Sequence, residues 1–175
     1  MRPMEWIHGR PPLVLRKGDL RRWPGRAIEA DGGHFAGLGE FAGASLLFLR
    51  EPEMTAVVPL ELGGVLLVTA FYCDSDTAVA RHLDFVPVSG WQLHPRRFRS
   101  EGGDYVLFDG SLAGGELVDP TIRHTEGESH GGSAEFPLSP GEYDVETLGP
   151  WDPDERTKLW LTRLVKSAAG TPSAG

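Results

Sequence analysis

The residues that could do chemistry are few, and their spacing decides most of them. His124 and His130 stand six apart with Glu126 and Glu128 between them. Imidazole and carboxylate are the donors of a hydrolytic zinc site, where the metal makes bound water a nucleophile near neutral pH. Ligands of such sites usually stand roughly two to five residues apart on defined elements, so this glycine-rich stretch is a loose match. Asp74 and Asp76 open like a calcium loop, but that loop needs Gly at its sixth position and Glu at its twelfth. This chain has Val79 and Phe85 there. A hydrolase elbow needs G-x-S-x-G, and the nearest fragment, Asp109-Gly110-Ser111-Leu112-Ala113, lacks the second glycine. The pairs Gly32-Gly33, Gly63-Gly64, Gly102-Gly103 and Gly114-Gly115 have no Lys-Ser/Thr after them and read as turns. Cys73 is the only cysteine, which excludes an intrachain disulfide and a cysteine-rich zinc site. It ends an apolar strand and is expected in or near the core. No catalytic residue, metal ligand or cofactor site is assigned.

Composition narrows the scaffold that must position these residues. Glycine (23) and proline (14) make up about a fifth of the 175 residues. Both interrupt long helices, so short strands and turns are expected. The formal charge is −8, and it is unevenly spread. Residues 1–26 hold seven basic and two acidic side chains, and the remainder holds ten and twenty-three, a net −13. Such a body repels nucleic acid and suits a basic partner.

The pattern then places elements. Trp6-Ile7-His8 and Leu13-Val14-Leu15, split by Gly9-Arg10-Pro11-Pro12, read as one edge strand with a break. Trp23-Pro24-Gly25 reads as a loop pinning one indole onto the core. Phe35 to Leu38 and Ser45 to Leu49 are strands. Thr55 to Leu60 and Val65 to Tyr72 flank Gly63-Gly64 as a hairpin, and the second is apolar enough to be central and covered on both faces. Asp74-Ser75-Asp76-Thr77 caps one short helix, with Val79 and Leu83 on its buried face. Trp91 to Phe98 reads as a further strand, and Glu101-Gly102-Gly103-Asp104 as a turn into the strand Tyr105 to Phe108. Leu112 to Gly132 is a long loop. Glu135 to Leu138, Tyr143 to Leu148 and Lys158 to Val165 are strands, with Gly149-Pro150-Trp151-Asp152-Pro153-Asp154 turning the chain between the last two.

The fold expected is mainly β: a two-layer antiparallel β-sandwich with one short helix, as a single domain over residues 1–166, followed by a disordered tail, 167–175. The opening residues lack the apolar core of a signal peptide, and no apolar run approaches the roughly 20 residues of a membrane span. The chain is expected in the cytoplasm, with no membrane partner. A lone cysteine gives no positive reason for a dimer. Of the five tryptophans, Trp6 and Trp160 are expected in the core, while Trp151, between two prolines, should show a face to solvent.

Taken in order, several fragments resemble one family. They are Trp6-Ile7 with Pro12-Leu13-Val14-Leu15, Asp74-Ser75-Asp76 after a long apolar strand, and Val106-Leu107-Phe108-Asp109. Pro140-Gly141-Glu142-Tyr143-Asp144-Val145 and Leu159-Trp160-Leu161-Thr162-Arg163-Leu164 complete the set. Over about Met4 to Lys166 the chain is similar to the Immunity protein 21 family, small bacterial cytoplasmic proteins encoded beside polymorphic toxins. Gly9-Arg10-Pro11-Pro12 replaces the Gly-Gly-Pro turn of that pattern, and the loop around Glu126 is longer. The resemblance implies a protein without turnover that binds a toxin domain, such as a nuclease with a basic cleft, and blocks it. The contacts it implies are Asp74, Asp76, Glu101, Asp104, Glu126 and Glu128, with Trp151 as an apolar anchor. Two alternatives stay open: a metal hydrolase using His124 and His130, and a scaffold or ligand-binding sandwich with no toxin partner.

Overall fold

The computed structural model describes residues 6–8, 12–25, 36–49, 54–114 and 132–168. Among these, twelve strands form two antiparallel sheets. In chain order they are β1 (Trp6–His8), β2 (Pro12–Arg16), β3 (Ala36–Phe41), β4 (Ala44–Leu49), β5 (Met54–Pro59) and β6 (Gly64–Tyr72). After the helix α1 (Asp76–Leu83) come β7 (Gln92–Leu93), β8 (Phe98–Ser100), β9 (Gly103–Asp109), β10 (Ser133–Leu138), β11 (Gly141–Asp154) and β12 (Thr157–Lys166). One sheet runs β1-β5-β6-β12-β11-β7, with β8 also paired to β11, and the other runs β10-β9-β2-β4-β3. This is the β-sandwich that the composition and alternation predict. The tail beyond 168 and the loop over 115–131 lie outside the described residues.

Side chains alternate between faces along a strand, so each sheet has two faces to bury or expose. Between the sheets sit Val65, Leu67, Val145 and Leu164 from one, with Val14, Leu47, Leu107 and Phe136 from the other. The outer face of the five-stranded sheet is apolar too: Leu13, Leu15, Leu46, Phe48, Val106 and Phe108 pack under Leu20 and Trp23. Those two covers come from a 3₁₀ helix over Lys17–Arg22 and the residue that ends it, a helix the sequence reading missed. The outer face of the seven-stranded sheet carries Leu66, Val68, Ala70, Leu159 and Leu161 beneath Val79 of α1. The near-continuous apolar run of β6 follows from this, because one side meets the inter-sheet core and the other meets α1.

Three local expectations are corrected. The interrupted edge strand is two strands in different sheets: β1 is an edge, but β2 lies between β9 and β4. Pro12 to Leu15 are all buried because both faces of that strand are covered. Gly149 to Asp154 does not turn the chain. It continues β11, and the turn falls at Glu155 and Arg156. Register slips between Leu148 and Trp151, and again before Asp154, accommodate Pro150 and Pro153. Beyond Thr147 no second strand pairs with that flank of β11 among the described residues, which is where strands tolerate proline. Trp91 to Phe98 yields only the short β7 and β8, both docked on β11.

The tryptophans divide differently from expectation. Trp23 is 2% exposed, as its loop predicts. Trp6 is half-buried and packs on the outer cluster under α1, while Trp160 is half-buried and meets Phe71 edge-on at 4.7 Å. No helix among the described residues is long and apolar enough to cross a membrane.

Candidate functional site

With the sheet faces covered, the outward-facing chemistry lies at sheet ends and in connections. The richest of these is built on α1. Ser75 is its N-cap: extended backbone aims the side chain so that Oγ accepts from the Ala78 N–H at 3.2 Å. Val79 is fully buried against the sheet, and Leu83, one turn on, packs beside it. The helix and the residues leading into it are then tied at three points by chain-distant partners. The Trp6 indole donates to Asp76 Oδ1 at 2.7 Å. Arg156 reaches Asp74 Oδ2 at 3.4 Å. His82 Nε2 lies 2.9 Å from Asp154 Oδ2, and since a carboxylate can only accept, that nitrogen donates.

Asp154 is held as an anion. Its pKa is lowered, chiefly by the Arg156 backbone N–H on Oδ1 at 2.9 Å, with smaller help from Thr157 and His82. A carboxylate whose folded pKa lies below its unfolded one adds stability above the unfolded value, 3.8, which is lost as pH falls through the folded value. Asp154→Asn is therefore expected to lower the urea midpoint at neutral pH, with the gap to wild type closing as pH drops below that range. A gap that stays constant through acid pH would contradict this account.

Cys73 sits just before these acids and packs on the outer cluster. Burial pushes its thiol pKa up, and Asp76 and Asp74 push it further. A nucleophilic cysteine needs the opposite environment. Trp151, on β11, packs into the same outer cluster as Cys73 and Val79, half-buried on a strand and not at the tip of a turn. The structure thus brings Asp74, Asp76 and Trp151 to one end of the seven-stranded sheet.

Glu101 and Asp104 are elsewhere. They flank the β8–β9 turn, and Ser100 pairs with Gly141 at the start of β11, ten residues of strand from Trp151. At ~3.3 Å per residue that separates the two acid groups by roughly 30 Å. Glu101 is also engaged, bonded to Arg16. Glu126, Glu128, His124 and His130 lie outside the described residues. Among the described residues no group of three His, Cys, Asp or Glu side chains is placed to hold a metal ion.

The basic N-terminal segment gathers on the opposite sheet. Arg16 and Arg22 bracket the buried Asp19 at 2.7 and 3.7 Å, and Lys17 reaches Glu135 at 2.6 Å. Lys17, Arg21 and Glu135 rim a cleft of about 490 Å³ floored by Leu20 and Val106. The basic residues here are matched by acids, since Arg16, Lys17 and Arg22 pair with Asp19, Glu101 and Glu135, while Asp74, Asp76 and Asp154 gather around α1.

Sequence reasoning missed one surface altogether. Phe85 is 79% exposed and Val88 98%, both in the connection from α1 to β7, and Leu93, on β7 itself, is 63% exposed. The available signal was phase. Val79, Leu83 and Val86 stand four and three apart, a helical stripe that packs on the sheet, and Phe85 and Val88 fall off it.

The fold and these surfaces define an antiparallel β-sandwich with a helix-capped acidic end, a class of scaffold that serves many functions. Comparison with protein-family models, curated proteins and solved structures finds no match.

Proposed function

We propose that this chain is a cytoplasmic immunity protein that binds a cognate polymorphic-toxin domain and blocks it without turnover. The order of fragments shared with the Immunity protein 21 family supports the reading, and so does the chemistry of the α1 end. The observation that carries it is that end's rigidity. Asp74, Asp76 and Asp154 are each held by a partner from a distant part of the chain, at 3.4, 2.7 and 2.9 Å. Acids held in fixed places lose less freedom on docking than acids on mobile loops. The −13 outside residues 1–26 steers a basic partner.

Glu101 and Asp104 stand about a strand's length from α1, so one compact toxin surface engages the α1 acids and not both groups. The test is co-expression with the C-terminal domain of a large secreted protein encoded immediately upstream. Cells expressing both are expected to survive where the domain alone kills. Equal killing with and without this chain sinks the reading. If rescue occurs, Asp74→Ala with Asp154→Ala should weaken it, while Glu101→Ala should not.

A further inference from the structure

We infer that the connection from α1 to β7 is the apolar anchor of the partner interface, with Phe85 and Val88 inserting into a pocket on a basic protein domain. This assignment rests on the immunity reading and deepens it by replacing Trp151 as the anchor. A folded domain rarely leaves three large apolar side chains this exposed within nine residues without a use for them. Leu62 is as exposed, but it stands alone at the tip of the β5–β6 hairpin.

The segment is held and not loose. Val86 and Trp91 pack down on the outer cluster, on either side of the exposed Val88. The Trp91 indole donates to the Pro87 carbonyl at 2.9 Å, closing the loop on itself. The Arg163 guanidinium lies 4.0 Å from the centre of the Trp91 ring and is bonded in turn to Glu146, its cross-strand neighbour. At the start, the Phe85 N–H donates to the His82 carbonyl at 2.9 Å. Proline fixes its own φ, so Phe85 and Val88 stand on either side of a stiff corner. Side chains presented in place give up little freedom on binding, which is how anchor residues gain affinity.

Charge selects the occupant. Residues 74–90 carry Asp74, Asp76 and Asp84 against Arg81 alone, and the adjoining end of β11 and its turn add Asp152, Asp154 and Glu155 against Arg156. A second copy of this chain would set these acids against each other if it docked by the same face. A basic surface with an apolar pocket fits both parts.

The experiment measures binding of the upstream-encoded toxin domain to the full-length chain by calorimetry. It compares wild type, the double variant Phe85→Ser with Val88→Ser, and Leu62→Ser as an equally exposed control. The double variant is expected to weaken binding about 100-fold or more, while Leu62→Ser stays within about threefold, and all three melt alike. Added salt should slow association of wild type. If wild type binds and the double variant binds within threefold of it, this anchor is wrong and the immunity reading stands. If wild type does not bind, the reading falls and the anchor with it. If sedimentation shows wild type to be a dimer that the double variant dissociates, the occupant is a second copy and the inference is overturned.

Discussion

Replacing Trp23 by alanine is expected to lower folding stability by about 4 kcal/mol, the largest effect of any single truncation on the five-stranded side. The indole is 2% exposed and sits edge-on to Phe41 at 5.2 Å and to Phe108 at 6.0 Å. Its Nε1–H donates to the Gly110 carbonyl at 2.9 Å in a buried setting. Its backbone also ends the 3₁₀ helix, with its N–H on the Leu20 carbonyl, and its carbonyl accepts from Gly114. Alanine keeps those backbone bonds but leaves a cavity over Leu13, Val106 and Phe108 and strips the Gly110 carbonyl of its partner. Trp23→Phe retains most of the packing and loses the hydrogen bond, so it should cost about 1–2 kcal/mol. Urea titration reads both as shifts in midpoint with an unchanged slope. A Trp23→Ala cost below about 1.5 kcal/mol would mean that this outer layer is not part of the cooperative core. Because the indole covers the sheet opposite α1, the folded fraction should keep the α1 surface on which the proposed partner docks.

The second large effect is at Gly64, where alanine is expected to cost about 3 kcal/mol or more. Its φ is +131°, a conformation that side chains rarely adopt, and an added Cβ would lie 2.3 Å from the Leu164 carbonyl oxygen. That oxygen belongs to the backbone of β12, paired to β6 from Lys158 to Val165. Moving it away strains the central ladder of the seven-stranded sheet. Two costs add: the strained φ, about 1–3 kcal/mol, and the overpacking, of similar size. Gly63 beside it supplies the control. Its φ is +77° but an added Cβ meets open space, so Gly63→Ala should carry only the conformational part, about 1 kcal/mol. Equal costs at the two positions would show that the contact with β12 does not matter. Since β6 carries Leu66, Val68 and Ala70 under α1, Gly64→Ala should also loosen the helix that presents Asp76 and leads into Phe85.

Local signals were legible wherever they report on neighbours in sequence. The Gly63-Gly64 hairpin, the Ser75 cap and the strand over Tyr143 to Leu148 each rest on signals within a few residues, and each element appears where it was expected, although burial alternates only as far as Val145. Gly149 to Asp154 misled because proline and glycine mark turns in isolation, whereas here slips in register absorb them within a strand. The candidate site was legible only in part. Asp74 and Asp76 announced themselves as a helix start, but their partners Trp6 and Arg156 lie 70 and 82 residues away.

The sequence by itself determined the β class, the helix and its cap, and a charge split between the first 26 residues and the rest. It did so because periodicity, capping and composition are set by residues that are close in the chain. Only the tertiary structure decided that β1 and β2 join different sheets, and that Asp154 meets His82. It also decided that the carboxylates divide between two ends of the sandwich, and that Phe85 and Val88 face outward. Those outcomes turn on which distant strands pair and which faces they cover. Each contact is worth little alone, and the choice among pairings belongs to the whole core.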